Sequence, residues 1–595
     1  MIKKRHKADR KFQRTKDPRY RKEANKAYAE FEELVKRASN ADREKNLKRF
    51  ERSRKVDLFQ FFKMYEKMTN DKGASAVKGV QALRVDGSEE VVVDDDGKAK
   101  LIAEKLALSF KAQTEVAQDA DIAQHHRETE VFVKDHPEKF QPLDGVPITK
   151  KITMKELKKA IKRLKLKAPG YDNISNLLLK RGGPTLRKHL LSLYNASLSC
   201  GYVPKCWKIA IIVPLPRPGK DLSKPGGYRP VSLLPTMAKL LELILATRIR
   251  DQLERFKLLP RHQSGFRRLR STVDQAFRLA QMGTMARMRG DACLAVLLDF
   301  EGAFNAVWHN GLRKMLDECG KLDDWLVRWL SSFLTERVFR VRVGGAFSSV
   351  QPIEAGVPQG SALSPILFAF FTRNIIKDKK SALDVEVASY ADDVLLISVA
   401  TFLGHAEAKA QRALRQVFEW SIRWKLPLNP AKCQVLVVGG SCQKPRLYVG
   451  NRLLECVEST TYLGVCFDRK MNFIEHVTNV VERVTVRLHG LRRLCRSKTV
   501  STASRKLIYT ATIRPVIEYG CAALMGISNT QLERLEVLQN EAIRAIFSLP
   551  FDDQTPTDEL CRMADLPTIE QRFRKLSVDF ANRALSAVPP VGSII

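Results

Sequence analysis

The sequence has no long apolar run and no cluster of cysteines, and its acidic residues are too few to balance its basic ones. No stretch approaches the roughly 18–20 apolar residues of a membrane-spanning helix. The opening segment, MIKKRHKADRK, has none of the apolar character of a signal peptide. The eleven cysteines are scattered singly, with no CxxC or Cys/His group at zinc-ligand spacing. This pattern disfavours a zinc framework and predicts reduced thiols in the cytosol or the nucleus.

The charge balance is strongly basic. Across 595 residues, 102 Lys+Arg stand against 66 Asp+Glu, a net charge of +36, while 44% of the residues are hydrophobic. A folded, multidomain protein of this charge is expected to bind a polyanion, and nucleic acid is the leading candidate because phosphate neutralisation releases counterions. An anionic membrane surface is the alternative, but no membrane partner is expected without a spanning segment.

Composition and periodicity divide the chain into regions of different character. Residues 112–147 are polar and rich in proline and glycine towards their end, and they predict a linker. Met1–Lys26 contains twelve Lys/Arg, which indicates a solvated arm or, alternatively, an RNA-binding or nuclear-import arm around Lys3–Lys7. The predicted regions are a basic helical N-terminal extension (1–72), small strands with the linker (73–150), a helical segment (151–205), alternating strands and helices (206–470) and a basic helical end (471–595).

Several secondary-structure elements follow from apolar patterning. Thr153 and Glu156 have the spacing of a capping box, which predicts a helix to about Leu166. The Gly344-Gly345 pair indicates a hairpin turn. Other predicted elements are strands at 209–216, 294–300, 338–343 and 434–438, a pair of strands within 385–400, and a helix over 406–424.

Tyr390–Asp393, the sequence YADD, puts two carboxylates between aliphatic strands. Such a pair is costly to bury unless it is compensated, and a divalent cation is the natural compensation. The alternative, an exposed Asp-Asp turn at a hairpin tip, is equally consistent with these four residues alone.

Two further segments carry polar residues beside apolar elements. Asp299 ends the run LAVLLDF, and taken alone it is better explained as the N-cap of a following helix. Together with YADD, however, it supplies carboxylates from separate strands, as a two-metal site requires. In AGVPQGSALSPILFAFF (355–371), the glycines would let the backbone approach a template base or an incoming nucleotide. A plain loop leading into a buried helix is the alternative.

The three segments occur in the order aspartate at a strand end, PQG loop and YADD hairpin. With these segments in this order, the sequence resembles the reverse transcriptases of non-long-terminal-repeat (LINE-type, Jockey-like) retrotransposons. The resemblance extends from about Ile152 to about Arg574. It is carried by KAPGYDNISNLLLK (167–180), VPKCWKIAIIVPLPRPGKD (203–221), YRPVSLLPTMAKLLELILATRI (228–249), QSGFRRLRSTVDQ (263–275), WKLPLNPAKCQVLVV (424–438), YLGVCFD (462–468) and RKLIYTATIRPVIEYGCAAL (505–524).

The resemblance implies an α/β (α+β) right-hand polymerase. Residues 151–205 would begin the fingers, 206–470 would form a fingers–palm core with an antiparallel palm sheet, and 471–595 would form a helical thumb and C-terminal region. The implied activity is RNA-directed DNA polymerisation, with two Mg²⁺ ions or Mn²⁺ in their place. The implied partners are an RNA template, a DNA primer or target, dNTPs and a separate endonuclease activity, while the oligomeric state stays open.

The resemblance also assigns roles to individual residues. Asp299 and Asp392 would bind the metal ions with Asp393 in support. Phe304 would exclude a 2′-hydroxyl, although a core aromatic on an amphipathic helix is the alternative. Arg229 and Arg217 would contact the triphosphate, although relatives usually have Lys at position 217, and Gln359, Gly360 and Tyr390 would contact nucleotide and template. Lys432 would protonate pyrophosphate, with an exposed lysine at a strand edge as the alternative interpretation. A primer grip would form at Tyr462, Leu463 and Gly464.

The sequence departs from the family at two positions beside the proposed gate, Gly302 and Asn305, neither of which is a metal ligand in the family. No endonuclease, zinc-knuckle or RNase H pattern is recognised, so the chain is expected to be the polymerase portion of a retrotransposon protein. Three other possibilities remain: a non-catalytic nucleic-acid-binding relic, an RNA-dependent RNA polymerase, which the aromatic Phe304 disfavours, and a group II intron maturase.

Overall fold

A computed structural model describes residues 44–54, 57–69, 79–85, 90–111, 119–143, 150–376, 384–439, 443–524, 526–550 and 552–586, with the single positions 22, 26, 29 and 33. The predicted basic arm around Lys3–Lys7 lies outside these residues. Two compact units are present. The smaller holds the described residues of 1–75, 474–521 and 527–576, and the larger holds those of 76–473, 522–526 and 577–586.

The described part of the chain contains helices and strands throughout. The helices are α1 (Leu58–Thr69), α2 (Asp95–Ser109), α3 (Ala120–Asp135), α4 (Pro137–Phe140), α5 (Met154–Arg163), α6 (Asn176–Arg181), α7 (Pro184–Ser199), α8 (Thr236–Arg255), α9 (Thr272–Arg289), α10 (His309–Glu318), α11 (Asp324–Leu334), α12 (Ser364–Phe371), α13 (Leu403–Arg423), α14 (Ile474–Cys495), α15 (Thr502–Ile508), α16 (Arg514–Glu518), α17 (Asn529–Phe547), α18 (Thr557–Ala564) and α19 (Ile569–Ser586). The strands are β1 (Leu83–Arg84), β2 (Val91–Val92), β3 (Ile209–Pro216), β4 (Tyr228–Leu233), β5 (Ala292–Leu298), β6 (Arg337–Val343), β7 (Ala346–Phe347), β8 (Gln351–Ile353), β9 (Glu386–Tyr390), β10 (Asp393–Ala400), β11 (Gln434–Val438), β12 (Tyr448–Val449), β13 (Arg452–Leu453), β14 (Glu455–Val457), β15 (Ser459–Tyr462) and β16 (Val465–Asp468).

The central sheet of the larger unit has the strand order β14-β11-β5-β10-β9. Pairs β11/β5, β5/β10 and β10/β9 are antiparallel, and β11/β14 is parallel. Strands β5 and β10 are apolar and almost wholly buried, because α9 and α13 pack against them. The predicted strands at 294–300, 385–400 and 434–438 are therefore confirmed, with small shifts at their ends.

A second sheet has the order β4-β3-β6-β7, and β8 also pairs with β6. Strand β3 is antiparallel to β4 and parallel to β6. The predicted hairpin turn is confirmed, since Val343 pairs with Ala346 across Gly344 and Gly345. Helix α2 packs on β6, and the sheet and helix share a buried cluster that includes Ile212, Phe339 and Ile102.

The predicted capping box is confirmed at the start of α5. The Thr153 side chain accepts a hydrogen bond from the Glu156 backbone N–H, and the Glu156 carboxylate accepts one from the Thr153 backbone N–H. The helix ends at Arg163, one turn earlier than predicted, and its buried face is formed by Leu157, Ala160 and Ile161.

The predicted linker over 112–147 is wrong for the described residues 119–143. These residues form α3 and α4, and Val133 and Phe140 lie in the main hydrophobic core. Asp119 caps α3 by accepting hydrogen bonds from two backbone N–H groups. Upstream, Asp94 caps α2, which continues through Gly97.

The smaller unit is helical, with α14 packed against α17. Residues 44–54 are helical and, with α1, belong to this unit. Phe50 and Phe61 stack there at a centroid distance of 4.4 Å. Of the basic residues after Phe473, Arg505 is buried, and its guanidinium donates to the Ile546 and Ser497 carbonyls, so it is a structural residue.

The predicted mixed α/β class is confirmed. Assignment of these sheets and helices to fingers, palm and thumb stays a prediction, as do the predicted domain limits. In the part of the chain that the structure describes, no helix has the length and apolarity needed to cross a membrane. Every cysteine among the described residues is a free thiol.

The burial of Phe140 on α4 leads to a testable prediction. Phe140→Ala should lower the free energy of unfolding of the larger unit by about 3–5 kcal/mol, because it leaves a cavity in the core. Val131→Ala on neighbouring α3 is the control: Val131 is 53% exposed, so its replacement should change stability by less than about 0.5 kcal/mol. Denaturant titration measures both, and equal effects would restore the linker interpretation.

Candidate active site

Asp299 follows directly on the central strand β5. Its backbone is fixed on both sides, since its N–H donates to Cys433 Sγ at 3.4 Å and its carbonyl accepts from the Asn429 N–H at 2.8 Å. Lys432 on the same neighbouring segment places Nζ 3.2 Å from Asp299 Oδ2. The carboxylate therefore projects from a rigid strand end beside one cation.

The alternative interpretation of Asp299 as a helix N-cap is wrong. Residues 301–305 form turns, and the next helix, α10, begins only at His309. Asp299 accordingly has no helix N-terminus to cap.

Asp392 and Asp393 lie at the turn between β9 and β10. Asp393 pairs with Tyr390, so Ala391 and Asp392 form a two-residue turn. Val394 pairs with Leu298 in the antiparallel β10/β5 ladder. One step further in this register, Asp393 lies opposite Asp299, which brings the acids of both predicted motifs to one edge of the sheet.

The three acids influence one another electrostatically. Although Asp393 is exposed, partial desolvation together with the negative charges of Asp392 and Asp299 raises its pKa to about 6. Desolvation and Asp299 likewise raise the pKa of Asp392. Burial and like-charge repulsion both disfavour the ionised carboxylate. A cation bound here would relieve both effects.

The donor set suits magnesium in kind. Magnesium prefers carboxylate oxygens and usually takes one or two of them, completing its coordination with phosphate and water. Among the described residues, no three Asp, Glu, His or Cys side chains converge closely enough to hold an ion on their own. The arrangement fits a cation that shares its ligands between protein and substrate.

Phe304 lies in the turn after Asp299 and not on a helix, although it does pack against the main hydrophobic core, as the alternative interpretation expected. Its half-buried ring stacks on Phe368 of α12, with centroids 4.6 Å apart and planes at 18°. Its carbonyl accepts a hydrogen bond from the Val357 N–H at 2.7 Å. The Phe304 ring is thus held in place between the turn after Asp299 and helix α12.

The glycines of the PQG loop approach the chain's own backbone. A Cβ on Gly360 would lie 2.6 Å from the Ser232 carbonyl oxygen, and one on Gly356 would lie 2.5 Å from the Asn305 carbonyl oxygen. Gln359 Nε2 donates to Asn305 Oδ1 at 3.1 Å. Internal packing therefore already requires glycine at both positions, while the approach of this loop to a nucleotide or template base stays a prediction.

The predicted triphosphate residues lie on the second sheet. Arg229 on β4 is exposed and pairs in register with Leu215. Arg217, just beyond β3, is half-buried, and its N–H donates to the Gly227 carbonyl at 2.8 Å. Tyr390 at the end of β9 has its ring 6.1 Å from that of Phe266. These placements leave the proposed roles untested.

The predicted primer grip forms the β15–β16 hairpin. Tyr462 is buried, and its hydroxyl donates to the Ala388 carbonyl of β9 at 3.4 Å. Leu463 and Gly464 form the two-residue turn, with φ of 48° and 85°. A direct primer contact could thus come from this turn, whereas the buried Tyr462 ring anchors the hairpin against the strand that leads to YADD.

The sequence analysis missed one set of residues that contact the acid turn. Gln263, within the QSGF segment, hydrogen-bonds the backbone of Ala391, and Gln275 of α9 bonds the same segment. No single-sequence pattern reveals the contacts between Gln263 and Ala391, because these residues are 128 positions apart.

Residues 216–467 match the family described as "Reverse transcriptase (RNA-dependent DNA polymerase)". They include all three acids, the proposed gate and the PQG loop. This segment belongs to the reverse transcriptase family. The reverse transcriptase domain accordingly contains the central sheet, its acid edge and most of the second sheet.

Relatives support the more specific resemblance. The chain is 33% identical over 452 residues to a probable RNA-directed DNA polymerase from transposon BS of Drosophila melanogaster, covering 74% of this chain and 49% of the relative. The RNA-directed DNA polymerase from mobile element jockey of the same species is 28% identical over 76% of this chain and 52% of its own length. The predicted resemblance to retrotransposon polymerases is confirmed, and the chain spans about half the length of these relatives. A solved apo telomerase from Candida tropicalis, truncated from its C-terminal domain, overlaps 45% of this chain and 54% of its own with a TM-score of 0.33 and 12% identity.

Crowding at the acid edge predicts a pH-dependent stability effect. Because the pKa of Asp393 is raised to about 6 from the ordinary 3.8, its charge opposes folding above that pH. Asp393→Asn should therefore raise Tm at about pH 7.5, and the gain should shrink as the pH falls through about 6 and vanish near the ordinary pKa. Glu419→Gln, an exposed acid on α13, is the control. A gain for Asp393→Asn that is independent of pH would contradict the crowding.

Proposed function

We propose that this chain is an RNA-directed DNA polymerase that copies RNA by adding dNTPs to a primer 3′-hydroxyl, as part of a retrotransposon of the jockey-like type. The observation that carries the proposal is the meeting of Asp299 with Asp392 and Asp393 at one edge of the central sheet, within a reverse transcriptase domain. The relatives named as RNA-directed DNA polymerases support the choice of reaction.

In the proposed reaction, Asp299 and Asp392 hold two divalent cations, and Asp393 supports them. Bound there, magnesium would activate the primer hydroxyl and neutralise charge on the phosphates. The residues themselves need no covalent step, because rigid positioning of the reacting groups supplies a large part of the rate. Lys432, 3.2 Å from Asp299, is close enough to the acids to donate a proton to departing pyrophosphate.

Substrate selection is proposed for the residues around the acids. The ring of Phe304, held by stacking on Phe368, would lie under the sugar and exclude ribonucleotides. Exposed Arg229 would bind the triphosphate, since guanidinium groups match phosphate geometry. The PQG loop, packed against β4 at Ser232 and against Asn305 beside the gate, would fix the distance between these two contacts.

Template and primer would bind to basic surfaces. The helical unit carries exposed Arg483, Arg487, Arg496 and Lys498 on or just after α14. A row of cations of this kind neutralises successive phosphates, and its affinity should fall steeply with salt. The proposed architecture is a right hand in which the central sheet is the palm and the helical unit is the thumb.

Removing the proposed metal ligands tests the reaction itself. Asp299→Asn and Asp392→Asn should each reduce primer extension on an RNA template by about 10³-fold or more, because metal-held charge contributes several kcal/mol to the transition state. RNA binding, measured by fluorescence anisotropy, should change by less than about twofold, because the RNA phosphates would bind to the basic surfaces and not to the acids. Glu419→Gln serves as the control, and full extension by either aspartate variant would refute the assignment.

The gate predicts a change in sugar selection. Phe304→Val should shift the preference for dNTPs over ribonucleotides by about 10–100-fold, since the smaller side chain leaves room for a 2′-hydroxyl. Phe304→Tyr keeps the ring and should retain the preference. Single-nucleotide incorporation with each substrate measures this ratio. If the valine variant still excludes ribonucleotides, Phe304 is not the gate. A wild-type preference for ribonucleotides would instead favour an RNA-dependent RNA polymerase.

A further inference from the structure

The turn that carries Asp392 includes a backbone conformation that its residue disfavours. Ala391 has a φ of 58°, in the left-handed region that side chains other than glycine's rarely adopt. It is also buried. Such a conformation persists only where the surrounding structure holds it, and it occurs preferentially at functional sites. The strand register fixes the two ends of this turn but not the peptide groups between them.

One buried carboxamide bonds both backbone groups of Ala391. Gln263 Oε1 accepts from the Ala391 N–H at 2.9 Å, and Gln263 Nε2 donates to the Ala391 carbonyl at 3.3 Å. The same oxygen accepts from the Gly265 N–H at 2.8 Å. The Gln263 residue is only 2% exposed. Because oxygen and nitrogen are both used, the amide has one orientation, and it can hold the Ala391 peptide groups in only one position.

Gln263 is itself held against β9. The Ser264 N–H donates to the Ser389 carbonyl at 2.8 Å, and the Ser389 N–H donates to the His262 carbonyl at 3.0 Å. Gln275 Nε2 from α9 donates to the His262 carbonyl at 2.8 Å and to Ser264 Oγ at 2.7 Å. The segment cannot move away from the turn without breaking these bonds.

The fit between the segment and the turn is also steric. A Cβ on Gly265 would lie 2.4 Å from the Ala391 nitrogen, so only glycine allows this approach. The contact therefore has three components that converge on one residue: two hydrogen bonds from a side chain and one backbone contact. Ala391 is bonded directly to Asp392, so its position determines where the Asp392 carboxylate points.

We infer that Gln263 is a positioning residue for Asp392, which fixes the acid turn for cation binding. This inference rests on the proposed function, because it concerns the same acids. The side-chain hydrogen bonds of Gln263 go to backbone groups of Ala391 and Gly265 and not to the carboxylates. Gln263 acts in the manner of the outer residues that orient metal ligands, whose loss typically weakens metal binding or activity by about 10–100-fold.

The test compares two buried glutamines, Gln263 beside the acid turn and Gln275 on α9. Gln263→Leu removes both hydrogen bonds to Ala391, whereas Gln275→Leu removes bonds to His262, Ser264 and Ser389 and none to Ala391. Both should lower Tm to a similar degree. Gln263→Leu should weaken Mn²⁺ binding, measured by electron paramagnetic resonance with a chain-terminated primer on its RNA template and a dNTP, which complete the coordination. It should also raise the half-saturating Mg²⁺ concentration for primer extension by about 10–100-fold. Gln275→Leu loosens the segment but leaves both Gln263 bonds to Ala391, so its indirect effect on both should be smaller, less than about threefold.

The outcomes separate this inference from the proposed function. An unmodified protein that binds Mn²⁺ but extends no primer contradicts the proposed function, and the Mn²⁺ comparison then still decides the role of Gln263. Equal Mn²⁺ affinity of Gln263→Leu and the unmodified protein overturns the positioning role. Equal weakening by both leucine variants also overturns it, because the effect would then be one of general packing. An unmodified protein that binds no Mn²⁺ overturns both.

Discussion

Keeping three carboxylates together at one sheet edge is the physical demand on which the rest of the larger unit depends. Desolvation and mutual repulsion raise the pKa of Asp393 to about 6, so the charged acids oppose folding at neutral pH. One cation, Lys432, lies beside Asp299. The rest of the repulsion between the acids is resisted by the rigidity of the sheet. Strands β5 and β10 are buried, apolar and in a fixed antiparallel register, so the acids cannot move apart without disrupting it.

The rigidity of the acid turn extends through α9 to the end of the described chain. Gln275 on α9 holds the segment whose Gln263 braces the turn. The N-terminus of α9 is fixed in turn by Asp274, a buried carboxylate that takes part in a capping box with Ser271. Arg583 pairs with this carboxylate and also donates to the Ser271 hydroxyl and to the Leu269 carbonyl. Residues near the C-terminal end of the sequence therefore contribute to the support of an acid almost 200 positions earlier, which explains why a turn of this kind needs far more chain than its own motif.

The sequence predicted those parts of the fold whose signals are local. Apolar runs placed β3, β5, β10 and β11, and the Thr153–Glu156 spacing placed the start of α5. Helix α3 was missed because its surface is mostly polar and only Ile122, Thr129 and Val133 are buried, too few for a recognisable stripe. The site was predicted as a list of residues, but not its supports. Their contacts join segments far apart in the chain, and no periodicity or spacing encodes a pairing between two such segments.

The PQG loop shows how long-range contacts fix the geometry around the proposed binding site. Gly360 allows the loop to pack on the Ser232 carbonyl of β4, the strand that carries the proposed triphosphate arginine. Gly356 allows the same loop to pack on Asn305, next to the proposed gate and close to the acid at the end of β5. A side chain at either glycine would clash with the backbone that it faces, so the loop or its partner would have to move. Because a misplacement of about 1 Å can cost about 100-fold in rate, this packing would matter for the proposed reaction without any contact between the glycines and the nucleotide.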